Sequence, residues 1–206
     1  MTQDQTLTTS AMDEETARAE VYGLLATLLL AAPSAELHAN LQVAVTEAPA
    51  SGALLERPWA ELVAAARSMS CADIASEYSA LFISVGKPEI TLFGSFFLSG
   101  FLNEKPLVQL RTDLAELGLG RDETQPVTED HVSYVLEVMR YLIAGDDVTI
   151  SNLTRQRAFF ARHVLSWLPA LCDVLASHPK AVFYKSVAAF TEAFISVESQ
   201  GFDMLE

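Results

Sequence analysis

Cysteine is scarce: Cys71 and Cys172 stand alone. There is no CxxC pair and no disulfide-framework spacing, which excludes a disulfide-stapled secreted domain and fits a reducing compartment, the cytoplasm. Basic residues are scarce as well, 13 Lys and Arg against 27 Asp and Glu, for a net charge of −14. Such a chain repels phosphate backbones and anionic lipid, so nucleic acid is not an expected partner. Long apolar runs are missing too: Val21 to Ala32 spans only twelve residues and follows an acidic flank where a signal peptide would be basic. No stable membrane insertion is expected.

Chemical motifs are equally thin. Ser95 and Ser99 in "GSFFLSG" do not form a GxSxG elbow, and no strand precedes them to build that turn. No glycine-rich phosphate loop occurs. The four histidines, His38, His131, His163 and His178, lack HExxH or any other short ligand spacing. The expectation is a protein that is not an enzyme and holds no cofactor and no metal.

Half of the 206 residues are hydrophobic, enough for a substantial core, and their spacing is helical. Ile74, Tyr78, Leu81 and Phe82 share one face, as do Phe160, Val164, Trp167, Leu168 and Leu171, with Pro169 set to kink or end that helix. Sustained alternation of apolar and polar residues is absent, so the chain reads as all-α. Breakers cluster near Pro33, from Ser84 to Ser95 and from Gly118 to Thr128. The reading is a mobile tail over residues 1–11, a helical half over 12–117, a Gly/Pro-containing hinge loop over 118–128 and a second half over 129–206. Together they make one helical bundle.

The stretch "PVTEDHVSYVLEVMRYLI" places Val132, Val135, Leu136, Met139, Leu142 and Ile143 on a clean amphipathic face. Thr128 then serves as N-cap, with Glu129 and Asp130 in the first turn facing the helix dipole. That accounts for the acids but not for His131, whose imidazole at the helix entrance can bond a partner's backbone or charge, although a helix start is the favoured reading of the triplet. Between Arg121 and Asp147 stand seven acids and two bases, a solvated acidic face or an attraction for a basic peptide. Phe93, Phe97 and Phe101 share a face if their segment is helical. They read as core or as the wall of a groove for a partner helix or peptide.

Five motifs in order resemble the TorD/DmsD family of redox-enzyme maturation chaperones, relatives of the NarJ-type assembly proteins. They are "EYSALF" (Glu77 to Phe82), "LFGS" (Leu92 to Ser95), "DHVSYVLEVM" (Asp130 to Met139), "FFARHVLSWLP" (Phe159 to Pro169) and "FYKSVAAFTEAFI" (Phe183 to Ile195). Two positions depart from the family pattern. Gln125 precedes Pro126, with three residues between that proline and Asp130, where the family hinge reads Glu-Pro-x-Asp-His; Leu92 stands where the family prefers proline.

The resemblance implies an all-helical, TorD-like fold. It also implies a cytoplasmic chaperone that binds the twin-arginine leader, the apo catalytic subunit, or both, of a molybdenum oxidoreductase, and holds the subunit until its cofactor is inserted. The implied leader-binding residues are Asp130, His131, Tyr78, Leu81, Phe82, Phe93 and Ser95. A monomer is expected, with a dimer as the alternative. Two other functions stay open: a NarJ-like factor for a subunit that is not exported, and a small helical hydrolase or nucleotide-binding protein using Asp130 and His131.

Overall fold

Helical periodicity carries through into the computed structural model, which describes residues 2–46, 53–121 and 127–204, with side chains from Glu14 onward. The helices are α1 (Thr2–Leu30), α2 (Ala35–Val43), α3 (Glu56–Ser68), α4 (Cys71–Phe82), α5 (Gly94–Ser99), α6 (Lys105–Glu116), α7 (Val132–Ala144), α8 (Leu153–Phe159), α9 (Leu168–Ser177) and α10 (Phe183–Asp203). A π-helical turn, Phe160–Leu165, follows α8. Among the described residues no strand forms; the nearest thing to one is an isolated antiparallel bridge between Phe93 and His131. The all-α expectation holds.

The chain divides into two compact units that interleave in sequence. Unit 1 comprises Met1–Thr27 and Phe93–Ser166, and unit 2 comprises Leu28–Leu92 and Trp167–Glu206. The expected division at residues 118–128 is not where the units part, since Gly118 and Thr128 both belong to unit 1. A polar, glycine-bearing gap marks an exposed connection, and it does so whether or not the helices on either side pack together. Residues 122–126 of that gap lie outside the described residues. Residues 2–11, read in the sequence as a mobile tail, fall within the bounds of α1.

In unit 2, α10 packs on α9, α3 and α4, and α2 packs on α3. Ile74, Leu81, Phe183, Tyr184 and Val187 are buried there. α4 opens with a capping box in which Ser70 and Asp73 satisfy each other's backbone N–H groups. The start of α10 has no side-chain cap of its own. Its free donors are met from α4: the Glu77 carboxylate accepts from the N–H groups of Val182 (2.9 Å), Phe183 (3.0 Å) and Tyr184 (2.8 Å). A buried carboxylate at the positive end of a helix satisfies the donors and the dipole together.

In unit 1, α7 packs on α8 and on the π-helical turn, and α5 on α6. The α7 stripe behaves as its periodicity predicts, with Val132, Val135, Leu136, Met139, Leu142 and Ile143 all buried. Asp113 of α6 accepts from Arg162 (2.8 Å) and from Nε2 of His163 (2.6 Å) in the π-helical turn. Burial raises the Asp113 carboxyl, but the bonds from Arg162, His163 and Gln109 outweigh it and leave it below the usual carboxylate range.

Two expectations need correction. α5 spans only six residues, because Gly100 takes a left-handed φ of 81° and closes it with its N–H on the Phe96 carbonyl. Phe101 therefore leaves the face it was expected to share with Phe93 and Phe97, and it is 69% exposed. Secondly, Leu153–Ser177 is long and apolar enough by composition to cross a membrane, which a search for uninterrupted apolar runs overlooks. Half of its most apolar window is buried inside the protein. The helix breaks at Trp167 (φ −147°), and Pro169 then sits in the first turn of α9, where its missing N–H costs nothing.

Candidate functional site

Four of the expected site residues come together in unit 1. His131, not Thr128, is the N-cap of α7: its ψ of 135° is extended and its Nδ1 accepts the N–H of Ser133 at 3.3 Å. Ser133 Oγ lies 2.8 Å from the same nitrogen. An Nδ1 that accepts at a helix start belongs to a neutral ring. Burial, opposed by the nearby Asp130 charge, accordingly lowers the His131 pKa from 6.5 to about 4. The ring meets Phe93 edge to face, with centroids 5.1 Å apart.

Asp130 works in the opposite direction along the chain. Oδ2 accepts the N–H of Ser95 at 2.9 Å, Oδ1 accepts the Thr128 hydroxyl at 2.6 Å, and the Asp130 carbonyl accepts the N–H of Gly94 at 2.9 Å. Asp130 thus caps α5 from outside that helix. Thr128 supports Asp130 instead of capping α7. Asp130, His131 and Ser95 are all buried and Phe93 is half-buried, so three of the four side chains face inward. Both carboxylate oxygens of Asp130 are committed to donors of this chain.

Tyr78, Leu81 and Phe82 belong to unit 2, as a core cluster. Leu81 is fully buried, and the rings of Tyr78, Phe82 and Tyr184 lie 4.9 to 5.6 Å apart. The Tyr78 hydroxyl donates to the carbonyl of Leu30 at 2.6 Å, and burial pushes its pKa up to about 12. These three residues anchor α4 within unit 2.

The feature that the sequence reading missed is an apolar cavity of about 310 Å³ in unit 1. Gly118, at φ 71°, ends α6 in a Schellman turn, with the N–H of Leu119 on the Leu114 carbonyl (2.9 Å) and that of Gly118 on the Ala115 carbonyl (3.0 Å). The hydrophobic pair that accompanies this motif, Leu114 and Leu119, forms one wall. Tyr134, Val138 and Tyr141 form the other, and Val127 joins them. Those three residues recur at i, i+4 and i+7 on α7, outside the core stripe. That second apolar row was the available signal.

Glu129 and Glu137 also line the cavity. Glu129 makes a two-pronged pair with Arg111, at 2.9 Å through Nε and 2.9 Å through Nη2. Burial raises the Glu129 carboxyl, while Arg111, the Glu129 backbone N–H and the Arg121 charge lower it further, so it is held ionised. Glu137 pairs with Arg140 at 3.2 Å on an exposed surface.

Chains of this kind recur among proteins named Chaperone protein TorD. The relative from Vibrio parahaemolyticus is 24% identical over 135 residues, covering 62% of this chain and 63% of the relative. That from Vibrio cholerae is 26% identical over 140 residues, covering 65% and 64%, and that from Photobacterium profundum 24% over 135, covering 62% and 62%. The chain thus spans a little under two thirds of the length of these curated relatives. Their name is that of a chaperone, a non-enzymatic role, in agreement with the reading of the sequence. The family model described as nitrate reductase delta subunit matches residues 48–173, more than half of the chain and including α4, the Asp130–His131 element and every wall of the cavity. The chain belongs to that family.

Proposed function

We propose that this protein is a cytoplasmic, system-specific chaperone for the catalytic subunit of a molybdenum oxidoreductase. It binds the subunit's twin-arginine leader, its apo form, or both, and holds it for cofactor insertion before export. The observation that carries this reading is the open apolar cavity within the family-matched region, next to the Asp130–His131 element. A leader offers an apolar segment after its two arginines, and an apolar cleft on a rigid helical frame suits that segment. Asp130, His131, Phe93 and Ser95 contribute by fixing where α5 and α7 begin, and so shape the binding surface from beneath.

A second reading is a NarJ-like assembly factor for a subunit that is not exported. The family's own description, a nitrate reductase subunit, favours it. Hydrolysis or nucleotide binding through Asp130 and His131 is disfavoured, because both side chains already serve as helix-terminus acceptors.

Calorimetric titration separates these readings. The full chain is titrated with a synthetic leader carrying two adjacent arginines and an apolar stretch. It is then titrated with an apo molybdoenzyme catalytic subunit, with and without its leader. Tighter binding of the leader-bearing subunit supports the export chaperone, equal binding of both forms supports the assembly factor, and no binding of any sample refutes both.

A further inference from the structure

We propose that a small cleft in unit 1, between the end of α6 and α8 with its π-helical turn, receives a carboxylate of the client polypeptide on the guanidinium of Arg155. That the partner is a client rests on the chaperone reading above. The preference for a carboxylate rests on the cleft itself.

Helical spacing builds the cleft. Arg155, Phe159 and Arg162 recur at i, i+4 and i+7 and line it together, with Asp113, Glu116 and Leu117 from α6 and its end. Arg162 pairs with Asp113 at 2.8 Å, and Asp113 also accepts from His163 at 2.6 Å and from Gln109 at 2.9 Å. Arg155 engages only its backbone N–H, on the side chain of Asn152. Among the described residues its guanidinium has no hydrogen-bond or ion-pair partner. Arg155 is half-buried, and the other half-buried arginines, Arg18 and Arg157, both have partners. A guanidinium partly withdrawn from water, with its donors unmet, gains most from a charge-assisted acceptor.

Charge decides what arrives. The stretch from Val148 to Cys172 holds Arg155, Arg157 and Arg162 and no Asp or Glu, in a chain whose net charge is −14. Over most of such a chain a carboxylate is repelled. Within the cleft, Asp113 and Glu116 both act on Arg162, and Asp113 is already paired with it. Glu116 is exposed, so water and salt screen it, whereas the half-buried Arg155 keeps more of its field. One unpartnered guanidinium matches one negative charge in a two-pronged pair. A phosphate dianion would leave its second charge facing Glu116.

Size then separates a polypeptide from a small molecule. The cleft holds about 80 Å³, well under the ~300 Å³ at which pockets begin to enclose a small ligand. It takes one functional group, with Leu117 and Phe159 as its apolar lining, and the remainder of the ligand lies outside. A carboxylate side chain on a polypeptide that makes its other contacts elsewhere meets that limit.

The test has two arms, both on the full chain. In the first, the protein carries nitrogen-15-labelled arginine, and the Nε resonance of Arg155 is assigned by its loss in Arg155→Lys. Sodium acetate, sodium chloride and inorganic phosphate are added at equal ionic strength. The expected result is a saturable shift of the Arg155 resonance with acetate, a smaller one with phosphate and none with chloride. No saturable shift with acetate, or a larger one with phosphate, would overturn the carboxylate site. In the second arm an apo molybdoenzyme catalytic subunit is titrated calorimetrically into the unaltered protein, Arg155→Gln and Arg155→Lys. Arg155→Gln is expected to bind about tenfold more weakly, the loss of a charge-assisted bond, at an unchanged Tm, with Arg155→Lys recovering part of the affinity. Equal affinity for Arg155→Gln and the unaltered protein would overturn the client as the source of the carboxylate and leave the chaperone reading intact. Failure of the unaltered protein to bind the subunit, beside a normal acetate shift, would overturn the chaperone reading and the client with it, and keep the carboxylate site.

Discussion

Tyr184 donates its backbone N–H to Oε1 of Glu77 at 2.8 Å across 107 positions of sequence. With Val182 and Phe183 on the same carboxylate, one side chain of α4 supplies the whole cap of α10. Glu77→Ala leaves three donors at a helix start without their acceptor. Charge-assisted hydrogen bonds are worth about 1.5 to 3 kcal/mol each, with shared geometry limiting their sum. The expected loss is about 3 kcal/mol, a fall in Tm of roughly 6 to 12 °C for a chain of this size. Glu77→Gln, which keeps an acceptor but not the charge, should lose roughly half as much. Differential scanning calorimetry measures both, and a Glu77→Ala variant melting within about 2 °C of the parent would contradict the assignment.

Phe82 lies against Tyr78 and meets Tyr184 edge to face at 5.1 Å, with 8% of its surface exposed. Phe82→Ala is expected to cost about 3 to 5 kcal/mol as a cavity opens in the core of unit 2, while peptide affinity, measured below the melting range, stays unchanged. Lost affinity at an unchanged Tm would mean that the ring contacts the partner directly.

Acid should unfold the protein earlier than its carboxylates alone require. Folded His131 has a pKa near 4, against 6.5 when free. Between those values the unfolded chain binds a proton that the folded chain refuses. Stability contributed by the neutral ring is complete above pH 6.5 and is lost as pH falls toward 4, by about 3 kcal/mol at most. His163, whose pKa burial also lowers against the opposing pull of Asp113, adds to the loss in the same direction. His131→Asn retains an oxygen acceptor for Ser133 and removes the titration. Urea unfolding across pH 4 to 7 should show a shallower slope for that variant, and an identical slope would count against a buried neutral His131.

Asp130→Asn separates an internal cap from a partner contact. An asparagine oxygen can still accept from Ser95, and its amide can donate to the Thr128 hydroxyl, so the stability cost should be about 1 kcal/mol. Because both Asp130 oxygens are committed inside the chain, the affinity for an arginine-bearing leader is expected to stay within about twofold. A drop of tenfold or more, the loss of a charge-assisted bond, would place the carboxylate against the leader's arginine.

Local pattern made the helices legible, and distance in sequence hid most of what ties them together. α4 and α7 follow from apolar residues recurring every three or four positions, and Val132 begins α7 where the stripe begins. The cap of α7 was misread because threonine is a favoured N-cap and histidine is not, although any side chain with an acceptor at the right backbone angle can serve. The π-helical turn has no compositional signature. Glu77 and Asp130 were visible as motif acids, but their work is done on backbone N–H groups 105 to 107 and 35 positions away. The cavity was half visible: the second row on α7 could be read, whereas the Schellman turn that brings Leu119 back toward Leu114 depends on Gly118 taking a positive φ.

The interleaving of the two units gives protein synthesis a direction. Every segment of unit 1 precedes Trp167, so the unit that carries the Asp130–His131 element and the cavity can close once Ser166 has emerged. Unit 2 has to wait, because its residues 28–92 include the Glu77 carboxylate, whose partners are 182–184. At ~5–20 residues per second, Tyr78, Leu81 and Phe82 spend seconds without α10, in the interval when the cavity-bearing unit is already complete. A nascent chain stalled after Ser166 would then present a finished α6–α7 surface while the residues of the unit 2 core that it already holds still lack α10.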